Sequence, residues 1–236
     1  PSFYSMEKWR VYERIVALLS TEKYDDPSLT VIPNARVTGL ISNRKRQIDV
    51  LIDYRFEHDL TRRMVIDAKE RKRPIDIKEV ESFEGLMKDV GAQRGVLVCT
   101  NGYTKAAKNR AQKHIGIEII PAEEIDTFNF NSWDNCLHQK CEDGLVLWDR
   151  YFGVSIQDSP PYVMATGKCD VCHRFHIWCW SCGNRKVLGN EDEWQCSCKE
   201  PWFWLTAIEP EEDNTKSIYL LFCSASDIKI VDRIPL

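Results

Sequence analysis

Six cysteines lie within thirty residues of the C-terminal half, and no other feature limits the fold of this chain as strongly. They form three close pairs: Cys169 with Cys172, Cys179 with Cys182, and Cys196 with Cys198. Such spacing is typical of structural zinc sites, because a tight turn presents two thiolates to one ion. Disulfide scaffolds belong mainly to short secreted chains, whereas this chain has 236 residues. We therefore expect a small β-rich zinc-binding module and a reducing, cytoplasmic environment.

The spacing between the pairs limits which four thiolates can share one Zn²⁺ ion, which prefers tetrahedral coordination. The six residues between Cys172 and Cys179 would span about 20 Å as a strand, so these two pairs reach one ion only if the chain bends. The thirteen residues between Cys182 and Cys196 close readily as a hairpin. The favoured ligands of one structural zinc are therefore Cys179, Cys182, Cys196 and Cys198.

Two alternatives remain open for the first pair. Cys169 and Cys172 either replace one of the favoured pairs or support a second site with His173 or His176. The remaining cysteines are interpreted as ordinary core or surface residues: Cys99, Cys136, Cys141 and Cys223. Four thiolates leave no open coordination position, so the zinc is expected to be structural.

The charge of the chain is unevenly distributed. Residues 1–120 carry 22 basic and 17 acidic residues, a net charge of +5, whereas residues 121–236 carry 10 and 19, a net charge of −9. The first part could hold a polyanion, although its basic clusters could equally be solvated turns. The acidic second part suits a protein partner as well as DNA. No run approaches the roughly 20 apolar residues of a membrane span, so no membrane association is expected.

Hydrophobic periodicity predicts a mixed α/β unit in the first 121 residues. Apolar residues at helical spacing predict helices at residues 9–19, 77–90 and 104–114. Alternating or continuous apolar runs predict strands at residues 47–54, 64–69, 95–100 and 117–120, the first two antiparallel. Residues 30–39, rich in β-branched side chains, suit an edge strand or a strand followed by a turn. This order places a mixed sheet against flanking helices.

Three charged residues interrupt the two neighbouring strands. Side chains alternate along a strand, so Asp67 and Lys69 share one face, and antiparallel pairing brings Asp49 across from them. Charged groups in an apolar strand are unfavourable unless they are paired, exposed or part of a site. Two carboxylates suit Mg²⁺, which prefers oxygen ligands, and Lys69 could then offset charge on a phosphate. An exposed ion pair on an edge strand is the alternative.

Asp49, seventeen residues, and then Asp67-Ala68-Lys69 resemble the PD-(D/E)xK nuclease signature. The surrounding segments QIDVLI, VIDAKER and RGVLVCTNGYTKAAKNRAQKHIGIEII narrow the resemblance to the Mrr-like restriction endonuclease family over residues 8–121. The resemblance implies a restriction-endonuclease-like fold and DNA hydrolysis with Mg²⁺ or Mn²⁺ in defence against foreign DNA. It also implies that Glu13, in the first helix, helps to build the metal site.

The chain departs from the family at two positions. Many Mrr-like members have glutamine where this chain has Asp67, and the carboxylate is the form found in the wider superfamily. Ile48 stands where the superfamily signature has proline. Because Asp67 supplies a metal-binding carboxylate, the first departure favours an active enzyme.

The predicted organisation is a nuclease domain at residues 1–121, a connector at 122–165 and a zinc-ribbon-like β module at 166–236. The tryptophans of the last module are expected mainly in its core. A catalytically inactive adaptor and a nuclease acting on RNA or branched DNA remain alternative functions. A chain with one active site must dimerise or act twice to cut a duplex, so a homodimer is also considered.

Overall fold

A computed structural model describes residues 7–111, 114–123, 134–155, 161–198 and 202–236. The chain divides into two compact units. Unit 1 comprises Pro1–Tyr54 and His58–Ser132, and unit 2 comprises Arg55–Glu57 and Trp133–Leu236. Within the described ranges, no helix combines the length and apolar character needed to cross a bilayer.

Unit 1 is a five-stranded mixed sheet with the strand order β1-β2-β3-β4-β5. Its strands are β1 (Leu29–Thr38), β2 (Lys45–Tyr54), β3 (Met64–Lys69), β4 (Arg94–Cys99) and β5 (Ile115–Ile119). Its helices are α1 (Lys8–Lys23), α2 (Ile77–Asp89) and α3 (Lys105–Arg110). The β1–β2 and β2–β3 pairs are antiparallel, whereas β3, β4 and β5 run parallel. The predicted mixed α/β class is therefore confirmed.

Local sequence explains where these elements begin and end. Strand β4 has no polar side chain between Gly95 and Cys99, and every one of these residues is buried, as in a strand covered on both faces. Helix α2 begins at a capping box, in which the Asp76 side chain accepts from the Glu79 N–H and the Glu79 side chain accepts from the Asp76 N–H. Its apolar face, which includes Phe83 and Met87, packs on Leu51 of β2 in the main core.

Unit 2 contains two antiparallel sheets with the strand orders β10-β9-β8-β7-β6 and β11-β12-β13-β14. The strands of the first sheet are β6 (Asp134–Asn135), β7 (Leu145–Val154), β8 (Tyr162–Cys169), β9 (Phe175–Cys179) and β10 (Arg185–Leu188). Those of the second are β11 (Glu193–Trp194), β12 (Trp202–Pro210), β13 (Lys216–Ser224) and β14 (Ile228–Pro235). The segment 122–165, predicted as a connector, thus contributes β6, β7 and the start of β8 to unit 2.

The tryptophans of unit 2 occupy two environments. Trp202 and Trp204 are buried in its core against Phe222, as the core interpretation expects. Trp180 is instead half exposed, with its ring near those of Trp178 and Tyr151. The core interpretation therefore fails for Trp180, which follows the last residue of β9.

A buried ionic cluster ties strands of unit 2 together. Lys168 Nζ of β8 lies 2.8 Å from Asp149 Oδ1 of β7 and 2.5 Å from Asp232 Oδ2 of β14. The Arg55 guanidinium completes the cluster at 3.1 Å from Asp149 and 3.0 Å from Asp232. Two cations therefore balance two carboxylates in a site that excludes water, where an unpaired charge would be strongly unfavourable.

We expect Asp53→Ala to destabilise unit 1 strongly. Asp53 is fully buried, and its Oδ2 lies 2.7 Å from the Arg63 guanidinium. Removing one partner leaves a buried charge uncompensated, so the free energy of unfolding should fall by about 3 kcal/mol or more. Urea unfolding measures the change. Glu118→Ala, which breaks the exposed pair with Lys23, serves as the control and should change it by less than about 1 kcal/mol. Equal effects would contradict the assignment.

Candidate active site and metal centres

The strands β2 and β3 separate at Asp49. Their ladder pairs Ile52 with Met64 and ends where Val50 pairs with Ile66. One step further in the same register, Asp49 lies opposite Asp67, so the carboxylates meet where the two strands part. We call this point the fork.

The pairing of β2 with β1 is also interrupted at Asp49. The register pairs Pro33 with Val50 and then Ala35 with Ile48, passing over Asn34 and Asp49. Asn34 has a φ of 49°, in the left-handed region that asparagine tolerates better than most residues. Ile48 and Leu51 are three positions apart and would face opposite sides of a regular strand. Here both belong to the same core cluster. Asp49 is therefore left outside the regular alternation of the strand.

Hydrogen bonds join the three predicted residues at the fork. Asp49 Oδ2 accepts the backbone N–H of Ala68 at 2.7 Å, which replaces the carbonyl that a continued ladder would supply. Lys69 Nζ lies 2.7 Å from Asp67 Oδ1. The structure thus brings Asp49, Asp67 and Lys69 together, and the side chains of Asp67 and Lys69 remain open to solvent.

Glu13 adds a third negative charge near Asp49. Burial of the carboxyl, followed by the charges of Asp67 and of Glu13 on α1, raises the pKa of Asp49 to about 8. The Ala68 N–H and Lys69 oppose this shift without cancelling it. Burial and two acidic neighbours thus hold this carboxyl protonated at neutral pH, and a bound cation would offset both effects. By contrast, Glu81 and Glu84 of α2 pair with Arg110.

An open cleft of about 550 Å³ lies beside the fork. Asp67 and Lys69 line it together with Lys45 and Arg46, from the start of β2, and Ser82 of α2. The cleft therefore places basic side chains next to the carboxylates. Glu79 also lines it. A phosphate ester entering the cleft would meet three basic side chains near Asp67.

The cysteines of unit 2 form two groups of four, each of which could hold a zinc ion. One group is Cys179, Cys182, Cys196 and Cys198, the favoured ligand set. The other is Cys136, Cys141, Cys169 and Cys172. Sulfur atoms of a tetrahedral zinc site lie about 3.8 Å apart, given a Zn–S distance of about 2.3 Å. The observed Sγ–Sγ distances of 3.5 and 3.7 Å in one group and 3.2 and 3.8 Å in the other are close to this value.

Two cysteine assignments made from the sequence were wrong. Cys136 and Cys141 are not ordinary residues, because they face Cys169 and Cys172. The second group therefore does not use His173 or His176. His176 Nε2 instead lies 3.2 Å from the Leu137 backbone N–H, and its buried ring has a pKa lowered by desolvation to about 4. The four-residue gap between Cys136 and Cys141, far from the other pairs, was the signal that could have revealed them.

Gly144 is built into the group of Cys136, Cys141, Cys169 and Cys172. A Cβ atom at Gly144 would collide with the Sγ atoms of Cys141 and Cys169. The Gly144 carbonyl also accepts the Cys136 N–H at 2.9 Å. Any side chain larger than that of glycine at this position would displace the thiols. The close approach of the backbone to the thiols fits a site that holds an ion.

The thiol pKa values make metal binding dependent on pH. Burial raises the pKa of Cys136 to about 12 and that of Cys196 to about 11. At Cys182 desolvation acts in the same direction, but the Asn184 N–H and the neighbouring thiols outweigh it and lower the pKa to about 6. Thiolates are the metal ligands, so binding must displace protons and should weaken in acid.

The fold of unit 1 and the carboxylates at its fork define a nuclease unit of the restriction-endonuclease-like class. Residues 5–128 match the Mrr catalytic family model, described as a restriction endonuclease, and this match covers more than half of the chain. The chain therefore belongs to the Mrr-type restriction endonuclease family, and the resemblance identified from the sequence is confirmed.

Comparison with other known proteins adds little beyond the family. No curated protein matches the chain. A solved structure titled "Crystal Structure of Protein of Unknown Function AF1548" is 20% identical, with a TM-score of 0.35. The match covers 47% of this chain and 57% of that chain, so this chain spans little more than half of the matched protein.

We expect Asp49→Asn to change how stability depends on pH in metal-free protein. The folded pKa of about 8 lies above the usual value of 3.8 for this carboxyl, so the folded state keeps a proton that the unfolded state releases. Stability must therefore fall as pH rises from about 4 to about 8. Asp49→Asn should reduce the loss in melting temperature between pH 5 and pH 8 in EDTA. Asp25→Asn, at an exposed aspartate, should leave the loss unchanged. Identical behaviour of the two variants would show that Asp49 does not carry the proton responsible for the loss.

We expect Gly144→Ala to lower the zinc content of the loaded chain from two ions to one, since its Cβ would fill one of the two cysteine groups. Gly153→Ala is the matched control, because a Cβ at Gly153 of β7 meets no atom within 4 Å. Elemental analysis of purified protein measures zinc per chain. Two ions bound to Gly144→Ala would show that the glycine is not part of a metal centre.

Proposed function

We propose that unit 1 is a metal-dependent endonuclease that hydrolyses phosphodiester bonds of DNA. The observation that carries the proposal is the meeting of Asp49, Asp67 and Lys69 at the fork, beside an open basic cleft. Membership of a restriction endonuclease family supports the same reaction.

Asp49 and Asp67 would hold Mg²⁺, or Mn²⁺ in its place, with Glu13 as a third carboxylate nearby. Their oxygens are the ligands that these hard cations prefer, and the raised pKa of Asp49 marks an excess of negative charge there. When bound, the metal supplies an acidified water and a positive charge next to the scissile phosphate. The Ala68 N–H keeps Asp49 in place.

Lys69 has a role distinct from that of the carboxylates. Its ammonium is held by Asp67 and is partly exposed in the cleft. There it would orient the attacking water and offset the negative charge that develops on the phosphate oxygens. Lysine suits this role as a mobile point charge, whereas arginine would impose a planar geometry.

Charge and family together favour DNA as the substrate. Residues 36–78 carry 12 basic and 7 acidic residues, and Lys45 and Arg46 line the cleft itself. Restriction of foreign DNA is the role we propose for this activity. One fork per chain cuts one strand at a time, so cleavage of both strands would need a homodimer or two successive events.

Unit 2 would be a structural zinc module with one Zn²⁺ in each cysteine group. All ten cysteines lie in the described part of the chain and are free thiols, which fits a reducing, cytoplasmic compartment. Four thiolates per ion leave no open position, so a catalytic zinc is not part of the proposal. The excess of acidic residues after residue 120 favours a protein partner for this module.

We expect cleavage to depend on the fork. Plasmid DNA, linear DNA and RNA, incubated with the protein in Mg²⁺, Mn²⁺ or EDTA, provide the assay. Asp67→Ala and Lys69→Ala should each slow metal-dependent DNA cleavage by at least about 100-fold, because each removes charge aimed at the reacting phosphate. Lys72→Ala, at an exposed lysine three residues further, should not.

The other outcomes separate the competing functions. DNA binding without cleavage in any metal would indicate an inactive adaptor. Cleavage of RNA but not of DNA would show that the enzyme is a ribonuclease. Cleavage in EDTA, or unaltered cleavage by Asp67→Ala, would contradict the proposed mechanism.

A further inference from the structure

The turn between β1 and β2 carries an unusual combination of charge and apolar exposure. This hairpin tip comprises residues 39–44. The segment from residue 27 to residue 48 contains no acidic residue and four basic ones: Arg36, Arg44, Lys45 and Arg46. Arg44 of the tip and the first two residues of β2, Lys45 and Arg46, therefore form a run of three positive charges on unit 1.

The tip is held rigidly by Asp89, the last residue of α2. Asp89 Oδ1 accepts the backbone N–H groups of Ile41 and Ser42 at 3.2 and 2.9 Å, and its Oδ2 accepts the Ser42 hydroxyl at 2.8 Å. The Asp89 carbonyl accepts the Leu40 N–H at 2.6 Å. Hydrogen bonds from Ser42 hold the pKa of Asp89 below its usual value, so the anchor stays charged.

Close packing sets the direction in which each side chain of the tip points. A Cβ atom at Gly39 would lie 2.6 Å from both Asp89 carboxylate oxygens, so the backbone follows the anchor closely. Leu40 turns inward, where its Cδ1 would be 3.0 Å from a Cβ at Gly91. The Ile41 side chain points into solvent and is 74% exposed, the highest value among the large apolar side chains in the described ranges.

The chemistry around Ile41 selects its partner. Single exposed apolar residues are common on protein surfaces, but Ile41 is fixed on a turn that four hydrogen bonds join to Asp89. The basic run of Arg44, Lys45 and Arg46 begins three residues later. A purely apolar protein surface would bind Ile41 but would form no favourable electrostatic contact with the basic residues beside it. Duplex DNA matches both features, since its phosphates attract the cations and its grooves admit an isoleucine wedge between base steps.

The position of the tip relative to the cleft agrees with this partner. Lys45 and Arg46 follow the tip immediately and also line the cleft that contains Asp67 and Lys69. A duplex whose backbone enters the cleft would therefore continue toward the tip along β2. Arg46 Nε lies 3.3 Å from Asp89 Oδ2, so its charge partly serves the anchor and leaves Arg44 and Lys45 for phosphates.

We infer that the hairpin tip is a docking element for duplex DNA, with Arg44 and Lys45 on phosphates and Ile41 inserted in a groove. The inference rests on the proposed function, because it concerns the substrate of the same cleft. It predicts that the tip contributes to affinity and locally unstacks bases, independently of the metal and of bond cleavage.

Binding of a fluorescent duplex in EDTA tests the inference, with 2-aminopurine in the duplex reporting unstacking. Ile41→Ala should weaken binding at least about tenfold, since three side-chain carbon atoms that contact the groove are lost, and should abolish the rise in 2-aminopurine fluorescence. Ile41→Leu should restore both. Arg44→Ala should reduce the slope of log affinity against log salt by about 0.9. Ile228→Ala, an isoleucine of unit 2 that is 67% exposed, is the matched control and should behave as the unaltered chain.

Cleavage of plasmid in Mg²⁺, measured on the same preparations, separates the two levels of failure. If the unaltered chain cuts DNA while Ile41→Ala binds and unstacks the duplex normally, the docking inference is overturned and the nuclease proposal stands. Equal dependence on Ile41 for single-stranded DNA or RNA would also overturn it, because the partner would not be a duplex groove. If the unaltered chain neither binds nor cuts, both are overturned.

Discussion

Negative charge concentrated at one point of a sheet is the constraint on which the rest of unit 1 depends. Asp49 is half-buried beside Asp67 and Glu13, and burial, followed by the charges of these two residues, raises its pKa. The sheet accommodates it by opening both ladders of β2 at this position. The interrupted ladders and the clustered carboxylates lower the stability of unit 1 at the fork. Such local destabilisation is common at binding sites.

The rest of unit 1 compensates for the fork with ordinary packing and paired charges. Strands β3 and β4 are covered on both sides, and Asp53, only four residues from Asp49, is neutralised by Arg63. The two aspartates differ in role: Asp53 stabilises the fold, whereas Asp49 belongs to the candidate metal site. Asp53 is completely buried with the Arg63 guanidinium in contact, whereas Asp49 lies beside Asp67 and Glu13. Similar positions on one strand thus serve opposite purposes.

Much of the fold and of the fork could be predicted from the sequence, because strand alternation and antiparallel pairing are local rules. They placed Asp49 across from Asp67 and Lys69, and they predicted the strands of unit 1. The left-handed Asn34 and the interrupted pairing were not predictable, since both depend on contacts across β1 and β2. The group containing Cys136 was missed for a similar reason: its partners lie more than thirty residues further along the chain and meet it only through β7 and β8.

The most direct test of the metal at the fork is anomalous scattering from a crystal of the protein containing Mn²⁺. We expect a peak between the carboxylates of Asp49 and Asp67, within bonding distance of both, and its loss in a crystal of Asp49→Asn. Peaks found only elsewhere, or a fork without density at saturating Mn²⁺, would contradict the claim that these carboxylates share a divalent cation.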